Sequence, residues 1–158
     1  ELSTEIAEGA VWANGSRSHM ADSLSHIPAT KREGDFFIGD MIPTCIADND
    51  PAAAATVSKR TLTSYLMLPN YRNYWKEAGY VEEMEAIESA LERRDRDALP
   101  GLMTDRWLAD STLFGTRKHV LEGLEAWFAA GVKTPILVPS STSGGQVKAM
   151  DELFAAFA

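Results

Sequence analysis

Residues 36–47 read Phe-Phe-Ile-Gly-Asp-Met-Ile-Pro-Thr-Cys-Ile-Ala, and this stretch decides the fold class. It is apolar almost throughout and ends at Asp48, which is typical of a strand that is covered on both faces. Pro43 lies inside the run and has no backbone N–H, so we expect a bulge or an early end of the strand there. Strands of this kind occur in parallel sheets with helices on both sides.

Two shorter apolar runs predict further strands. Residues 9–13 read Gly-Ala-Val-Trp-Ala and are closed by the turn-forming Asn14, Gly15 and Ser16. Residues 134–138 read Thr-Pro-Ile-Leu-Val and are followed by a proline and two serines. Helical stripes separate these strands, and such alternation indicates βαβ units. The pattern therefore predicts an α/β fold with about three parallel strands and flanking helices.

Start signals and apolar spacing locate the helices. Asp50 before Pro51 predicts an N-cap, and Thr116 predicts another. Residues 1–7 resemble the interior of a helix, so we expect sequence to precede Glu1 in the intact gene product, a processed N-terminus being the alternative. We expect the last helix, which follows two glycines, to bury the apolar residues Val147, Met150, Leu153, Phe154 and Phe157.

Composition excludes several functional classes. The net charge is −8, with 23 acidic residues against 15 Lys and Arg, so no basic surface for nucleic acid is expected. No apolar run approaches the ~20 residues of a membrane span. The single cysteine, Cys45, excludes an internal disulfide and favours a reducing cytoplasm. The histidines lack metal-ligand spacing, so we predict no metal site.

Three segments carry a resemblance to a known family. Residues 7–11 (Ala-Glu-Gly-Ala-Val) resemble an Ala-Asp-Gly-apolar strand, with Glu8 in place of aspartate. Residues 68–74 resemble a Leu-Pro-Asn-Tyr-Arg segment, and residues 113–116 and 130–139 resemble a closing unit in which a Gly-Thr turn starts a helix and an Ala-Gly-Val turn feeds a last strand. In this order and spacing they resemble the luciferase-like monooxygenase superfamily, which uses flavin or deazaflavin cofactors.

The resemblance implies a (β/α)₈ barrel, which typically needs ~250 residues. The 158 residues are therefore expected to form one partial domain, residues 1–158, that is the C-terminal portion of such a barrel without its N-terminal strands. In the family those strands carry much of the catalytic face and the pocket for the cofactor ring. We accordingly expect the catalytic residues to precede Glu1, and the chain alone to be inactive.

Barrel enzymes place their active sites at the carboxyl ends of the strands. This rule selects Asn14, Gly15 and Ser16 as candidates for binding cofactor phosphate or ribityl oxygens. The alternative is that Asn14-Gly15 is only a turn and that Ser16 is only a helix N-cap. The same rule selects Ser140, whose Ser- and Gly-rich loop is either an anion site before a helix or a plain connector.

Ser140 and two further side chains are candidates for binding substrate. His19 lies one helical turn beyond Asn14-Gly15-Ser16 and is either a proton donor or hydrogen-bond partner in the pocket, or a structural or solvated histidine. Arg72, within an aromatic segment, either pairs with an acidic substrate or cofactor tail, or forms one ion pair on a packed helix.

Two functions from different classes remain. The first is a flavin- or deazaflavin-dependent oxidoreductase, with FMN or a deazaflavin as cofactor, a small organic substrate and hydride transfer through the cofactor. The second is a non-catalytic reduced-barrel subunit that binds a partner chain, because missing strands leave unpaired edges. We expect a cytoplasmic homo-oligomer with no nucleic acid or membrane partner.

Overall fold

Helices and short parallel strands alternate in the computed structural model, which describes the backbone of residues 2–158 and the side chains of residues 4–158. The helix expected at residues 1–7 is present from Leu2, and Glu1 lies outside the described residues. In chain order the elements are α1 Leu2–Ile6, β1 Gly9–Ala13, a 3₁₀ turn Arg17–His19, α2 Met20–Ser25, α3 Ala29–Glu33, β2 Phe37–Ile46, α4 Pro51–Leu66, α5 Pro69–Glu77, α6 Val81–Glu92, α7 Leu99–Leu102, α8 Asp105–Ser111, β3 Leu113–Gly115, α9 Arg117–Ala129, β4 Thr134–Ser140 and α10 Gln146–Ala156.

Strand β2 is the centre of the sheet. It pairs in parallel with β1, β3 and β4, so the three predicted strands are confirmed. Along a strand, the backbone groups of successive residues point to opposite edges. The N–H of Phe37 donates to the carbonyl of Glu8, just before β1, and the N–H of Ala47 donates to the carbonyl of Gly115 in β3, so the odd-numbered residues face β1 and β3. The carbonyl of Ile38, at an even position, accepts from Lys133 on the β4 side. Strands β1 and β3 therefore lie end to end along one edge of β2, and β4 lies along the other.

Pro43 neither bulges nor ends β2, so that prediction is wrong. The β1 pairing ends at Met41, the β3 pairing begins at Thr44, and Pro43 itself pairs with Val138 of β4. Because Pro43 is odd-numbered, its nitrogen points to the edge of β2 that carries β1 and β3, at the gap between the end of β1 and the start of β3. The missing N–H therefore removes no ladder hydrogen bond, which is the circumstance in which a strand tolerates proline.

The short strand β3 was not expected, because three residues are too few to show a period. It ends at Gly115, whose φ of 112° lies in the left-handed region that favours glycine. The predicted N-caps on either side of this region are confirmed. The side chains of Asp50 and Thr116 accept hydrogen bonds from the amides of Ala53 and His119, respectively.

Two clusters of buried side chains form the core. The first lies between the sheet and helices α2 and α9, and its members are Met20, Leu24, Ile27, Phe36, Ile38, Ile42, Leu113, Val120, Leu124, Trp127 and Val132. The second joins helices α4 to α8, which are inserted between β2 and β3, and its members are Leu62, Leu66, Trp75, Tyr80, Met84, Ile87, Ala90, Leu99, Met103, Trp107 and Leu108. The inserted helices thus have a core of their own.

Helix α10 does not bury the face that its sequence suggests, so that prediction is wrong. Its buried residues are Ala149 and Ala156, whereas Val147 and Phe154 are 78% and 64% exposed. The helix packs against β4 and β2 through these small residues, which allow a close approach. Of the five apolar residues, Leu153 is half-buried and the other four are exposed. In the described part of the chain, no helix is long and apolar enough to cross a membrane.

One face of the sheet is open and apolar. Val11, Phe37 and Met41 occupy neighbouring positions in the β1–β2 register and are 52%, 41% and 39% exposed. We call these three residues the open sheet face. Large apolar side chains at this exposure are typical of a surface that another element or chain covers.

Candidate functional site

The turn that follows β1, residues 14–18, is buried at its first three residues and held from several sides. Asn14 has a φ of 58°, a left-handed conformation that asparagine tolerates better than most residues. Its backbone N–H donates to the carbonyl of Met41 at 3.0 Å, and its carbonyl accepts from the indole Nε1 of Trp75 at 3.2 Å. The turn is therefore fixed to both the sheet and helix α5.

Asp40 in the middle of β2 holds the next residue of the turn. The backbone N–H of Gly15 donates to its Oδ1 at 3.2 Å, and Asp40 is fully buried. Burial raises the pKa of this carboxyl to about 7, although the amides of Gly15 and Met41 oppose the shift. Sequence analysis did not select Asp40. The available signal was its position as the one charged residue in an otherwise apolar strand.

Tyr74 of α5 holds Ser16, the third residue of the turn. Its hydroxyl oxygen accepts from the backbone N–H of Ser16 at 3.0 Å, and burial is the main reason that the pKa of Tyr74 is raised. The ring of His19 meets Tyr74 edge-on, with 5.8 Å between ring centroids. The Nε2 of His19 lies 3.5 Å from the Oδ2 of Asp22, and its side chain is 19% exposed. His19 therefore lies beside the turn, as expected, and remains partly accessible.

Asp110 of α8 anchors the end of the turn. Its carboxylate accepts from the backbone N–H of Ser18 at 2.9 Å, from the Ser18 hydroxyl at 2.7 Å and from the Tyr80 hydroxyl at 2.8 Å. Burial, and then Asp110, raises the pKa of Tyr80 to about 12. Asp110 and Tyr80 were not predicted as site residues from the sequence. Asp110 lies 92 positions away from Ser18, and a contact over that distance leaves no local pattern.

Protein acceptors use the amides of the turn, but three of the side-chain atoms nearby have no partner among the described residues. The backbone N–H groups of Gly15, Ser16 and Ser18 are all donated to side chains of other elements. The buried atoms without a partner are Asn14 Nδ2, Ser16 Oγ and Asp40 Oδ2. The turn therefore offers unsatisfied side-chain groups, and not the free amides of a phosphate cradle.

The sequence left open that Asn14-Gly15 is only a turn and that Ser16 is only a helix N-cap. Ser16 occupies the N-cap position of the 3₁₀ turn, but its side chain makes no capping hydrogen bond. Capping by the hydroxyl is therefore absent, whereas the Asn14-Gly15 turn itself is present. A Cβ on Gly15 would lie 3.2 Å from both Asp40 Oδ2 and the Met20 methyl carbon, so a larger residue there would have to displace both side chains by a few tenths of an ångström.

Arg72 does not join this cluster through its hydrogen bonds. Its Nε donates to Glu88 at 3.2 Å and its Nη1 donates to the carbonyl of Leu66 at 2.6 Å. Lys76 also donates to Glu88 at 2.6 Å, and this hydrogen bond is the main reason that the pKa of Glu88 is lowered. The contacts support the alternative interpretation of Arg72 as one member of an ion pair on a packed helix.

Ser140 lies at the end of β4, next to Cys45 of β2 in the register, and is half-buried. Within the loop that follows, the N–H of Ser143 donates to the Ser141 hydroxyl at 3.2 Å. Burial raises the pKa of the Cys45 thiol to about 11, which suits an unreactive packed thiol. The described residues contain no group of three or more His, Cys, Asp or Glu side chains that could hold a metal ion.

Comparisons with known proteins agree with the fold. The family model for luciferase-like monooxygenase matches residues 1–134. The structure is similar to that of the coenzyme F420 dependent tetrahydromethanopterin reductase from Methanopyrus kandleri, with a TM-score of 0.70 and 18% sequence identity. The match covers 96% of this chain and 44% of that chain, so this chain spans less than half of that protein's length. No curated protein matches. The expected fold, a portion of a (β/α)₈ barrel with parallel strands and flanking helices, is confirmed.

Proposed function

Because this chain belongs to the luciferase-like monooxygenase family, we propose that the intact protein is a flavin- or deazaflavin-dependent oxidoreductase that transfers hydride through its cofactor. One observation carries the proposal beyond the family match. At the carboxyl end of a barrel strand, where such enzymes bind their ligands, Asn14 keeps an amide nitrogen and Ser16 a hydroxyl that no group in the described residues satisfies. Buried polar groups normally have partners, so these two are suited to a ligand.

The chemistry of the turn fits a polyhydroxylated chain better than a phosphate. Asn14 Nδ2 is a donor, Ser16 Oγ is both a donor and an acceptor, and Asp40 Oδ2 is an acceptor when ionised. A carboxylate beside a phosphate would repel it, whereas it can accept from a hydroxyl. We therefore assign Asn14, Gly15 and Ser16 to the ribityl chain that FMN and deazaflavins share.

These residues act by holding the cofactor, which supplies the hydride chemistry when it is bound. Asn14 and Ser16 are 3% and 0% exposed, so the turn must move outward before their side chains meet a ligand. We propose His19, which is partly accessible beside the turn, and Ser140, at the end of β4, as contacts to a small organic substrate. Arg72 is a weaker candidate for a substrate contact, since its Nε and Nη1 already donate to protein acceptors.

A deazaflavin is the first cofactor to test, because the similar reductase is coenzyme F420 dependent. The experiment is a fluorescence titration of the intact protein with F420 and, separately, with FMN. Saturable binding of either cofactor at micromolar concentration supports the proposal, and we expect residues 1–158 alone to bind weakly or not at all. Absence of binding to both by the folded intact protein would refute it.

The open sheet face favours a second candidate function, that of a reduced barrel which pairs with another chain. Val11, Phe37 and Met41 present apolar surface that a partner or a second copy could cover. A longer open reading frame that encodes the missing strands supports the enzyme. A frame limited to these residues, together with a stable complex that binds neither cofactor, supports the subunit. For the enzyme we propose a cytoplasmic homo-oligomer.

A further inference from the structure

Asp40 is a charged residue type in the middle of the sheet. It lies opposite Trp12 of β1 on one side and Pro135 of β4 on the other. Its side chain is fully buried, and one oxygen, Oδ2, has no hydrogen-bond partner in the described structure. A buried carboxylate without a counterion is among the most costly arrangements in a protein interior. Its presence in an apolar strand therefore calls for an explanation.

The groups that face Asp40 do not neutralise it. The backbone amides of Gly15 and Met41 donate to it, and Tyr74 of α5 interacts with it electrostatically. Asp110 of α8 acts on Tyr74 and so adds negative charge to the surroundings. No Lys, Arg or His among residues 4–158 forms an ion pair with Asp40. Burial therefore disfavours the ionised form of Asp40, and only the two backbone amides oppose it.

Movement of the turn at residues 14–16 would lower the cost of burying an ionised Asp40 carboxylate. Gly15 lies against the carboxyl group, because a Cβ there would be 3.2 Å from Oδ2. Two polar atoms of the turn, Asn14 Nδ2 and Ser16 Oγ, also lack partners. Outward movement of residues 14–16 would hydrate all three atoms at the expense of a few hydrogen bonds. The bonds from Ser18 to Asp110 would keep the far end of the turn in place.

We propose that Asp40 is a positioning residue that acts as a pH-sensitive latch, which keeps the turn at residues 14–16 closed when it is protonated and releases the turn when it ionises. Protonated Asp40 still accepts from the Gly15 amide and carries no buried charge. Ionised Asp40 gains hydration only if the turn opens, and opening presents Asn14 and Ser16 to solvent. Because burial raises the pKa of Asp40 to about 7, the change falls near neutral pH. This inference does not depend on which ligand the turn binds.

Hydrogen–deuterium exchange of the full chain tests the latch. Peptides that cover residues 9–20, 37–46 and 117–129 are compared between pH 6 and pH 8.5, after correction for the intrinsic pH dependence of exchange. We expect protection of residues 14–16 to fall by up to about tenfold per pH unit above the pKa, while the other peptides keep theirs. In Asp40→Asn, which cannot ionise, residues 14–16 should keep the same protection at both pH values.

The matched control is Asp48→Asn. Asp48 also accepts a backbone N–H, that of Arg117 at 2.7 Å, but it is exposed and lies in another loop. This variant should leave the pH response of residues 14–16 unchanged. Equal protection of the turn at both pH values in the wild-type chain, or loss of protection in all three peptides together, would overturn the proposal. If Asp40→Asn does not fold, the ¹³C shift of the Asp40 carboxyl in the wild-type chain decides, since a pKa near 4 would also overturn it.

Discussion

The indole Nε1 of Trp75 donates a hydrogen bond to the backbone carbonyl of Asn14 at 3.2 Å, across 61 positions of sequence. This bond ties the core of the inserted helices to the turn at the end of β1. Trp75 is fully buried and packs edge-on against Trp107, with 4.9 Å between ring centroids. The position of the turn therefore depends on helices that follow it in the chain.

Trp75→Phe should loosen the turn without removing the aromatic core. The variant keeps a buried ring but leaves the buried Asn14 carbonyl without its donor, so we expect a loss of ~1–3 kcal/mol in the free energy of unfolding. Trp75→Ala should cost more, ~3–5 kcal/mol, because it also leaves a cavity. Urea unfolding followed by circular dichroism measures both. Equal losses for the two variants would show that the hydrogen bond, and not packing, dominates at this position.

Asp110→Asn should destabilise the far end of the turn. The carboxylate accepts three hydrogen bonds, and an amide nitrogen in place of one oxygen cannot accept any. Either the Ser18 N–H loses its acceptor or the two hydroxyls must reorient, and hydrogen bonds to a charged group are lost in both cases, so we expect a loss of ~1–3 kcal/mol in the free energy of unfolding. Asp151→Asn, at an exposed position on α10, is the control and should change stability little. If both variants unfold at the same urea concentration, the anchoring role of Asp110 is wrong.

Asp40 should make folding less favourable as the pH rises. Its pKa is about 7 in the folded chain against an ordinary value of 3.8, so below pH 4 both states are protonated and the contribution is zero. Between pH 4 and 7 the unfolded chain loses the proton first, and the free energy of unfolding falls by roughly 4 kcal/mol by pH 8. Asp40→Asn should lack this fall. The measurement is the difference between wild-type and variant stability across pH 4–8, and a difference that does not change with pH contradicts it.

The open sheet face should cause residues 1–158 to self-associate when expressed alone. Val11→Thr keeps the shape of the side chain while replacing one methyl group by a hydroxyl, so it should shift the association towards monomer in sedimentation velocity. Val81→Thr is a matched control, since Val81 is 44% exposed on α6, away from this face. A stable wild-type monomer that folds cooperatively would contradict the expectation.

The sequence predicted those parts of the fold that local patterns encode. The continuous apolar run at residues 36–47 and the capping residues Asp50 and Thr116 are local signals, and the structure confirms the strand and both caps. The tolerance of Pro43 was not predictable, because it depends on where two other strands end. The outward face of α10 was missed for a similar reason, since periodicity shows which residues share a face but not what lies against it.

The candidate site was predictable only in its position. The rule that barrel sites lie at the carboxyl ends of strands selected Asn14 and Ser16, but the residues that hold them came from the structure. Gly15 and its acceptor Asp40 are 25 positions apart, and Ser16 and Tyr74 are 58 positions apart. Such pairings depend on the topology of the fold and leave no periodic trace in one sequence.

The central claim is that the turn after β1 holds the cofactor, and Ser16→Ala in the intact protein tests it most directly. The Ser16 hydroxyl is buried, has no hydrogen-bond partner within the described part of the chain and caps no helix, so its removal should not lower the free energy of unfolding. If the hydroxyl binds the ribityl chain, the cofactor dissociation constant should rise several-fold, as expected for one lost hydrogen bond of ~0.5–1.5 kcal/mol. The measurement is that dissociation constant, determined by fluorescence titration alongside urea unfolding of the same sample, with Asn14→Ala as a second variant. We predict weaker binding at unchanged stability for Ser16→Ala, whereas unchanged affinity in both folded variants would contradict the claim.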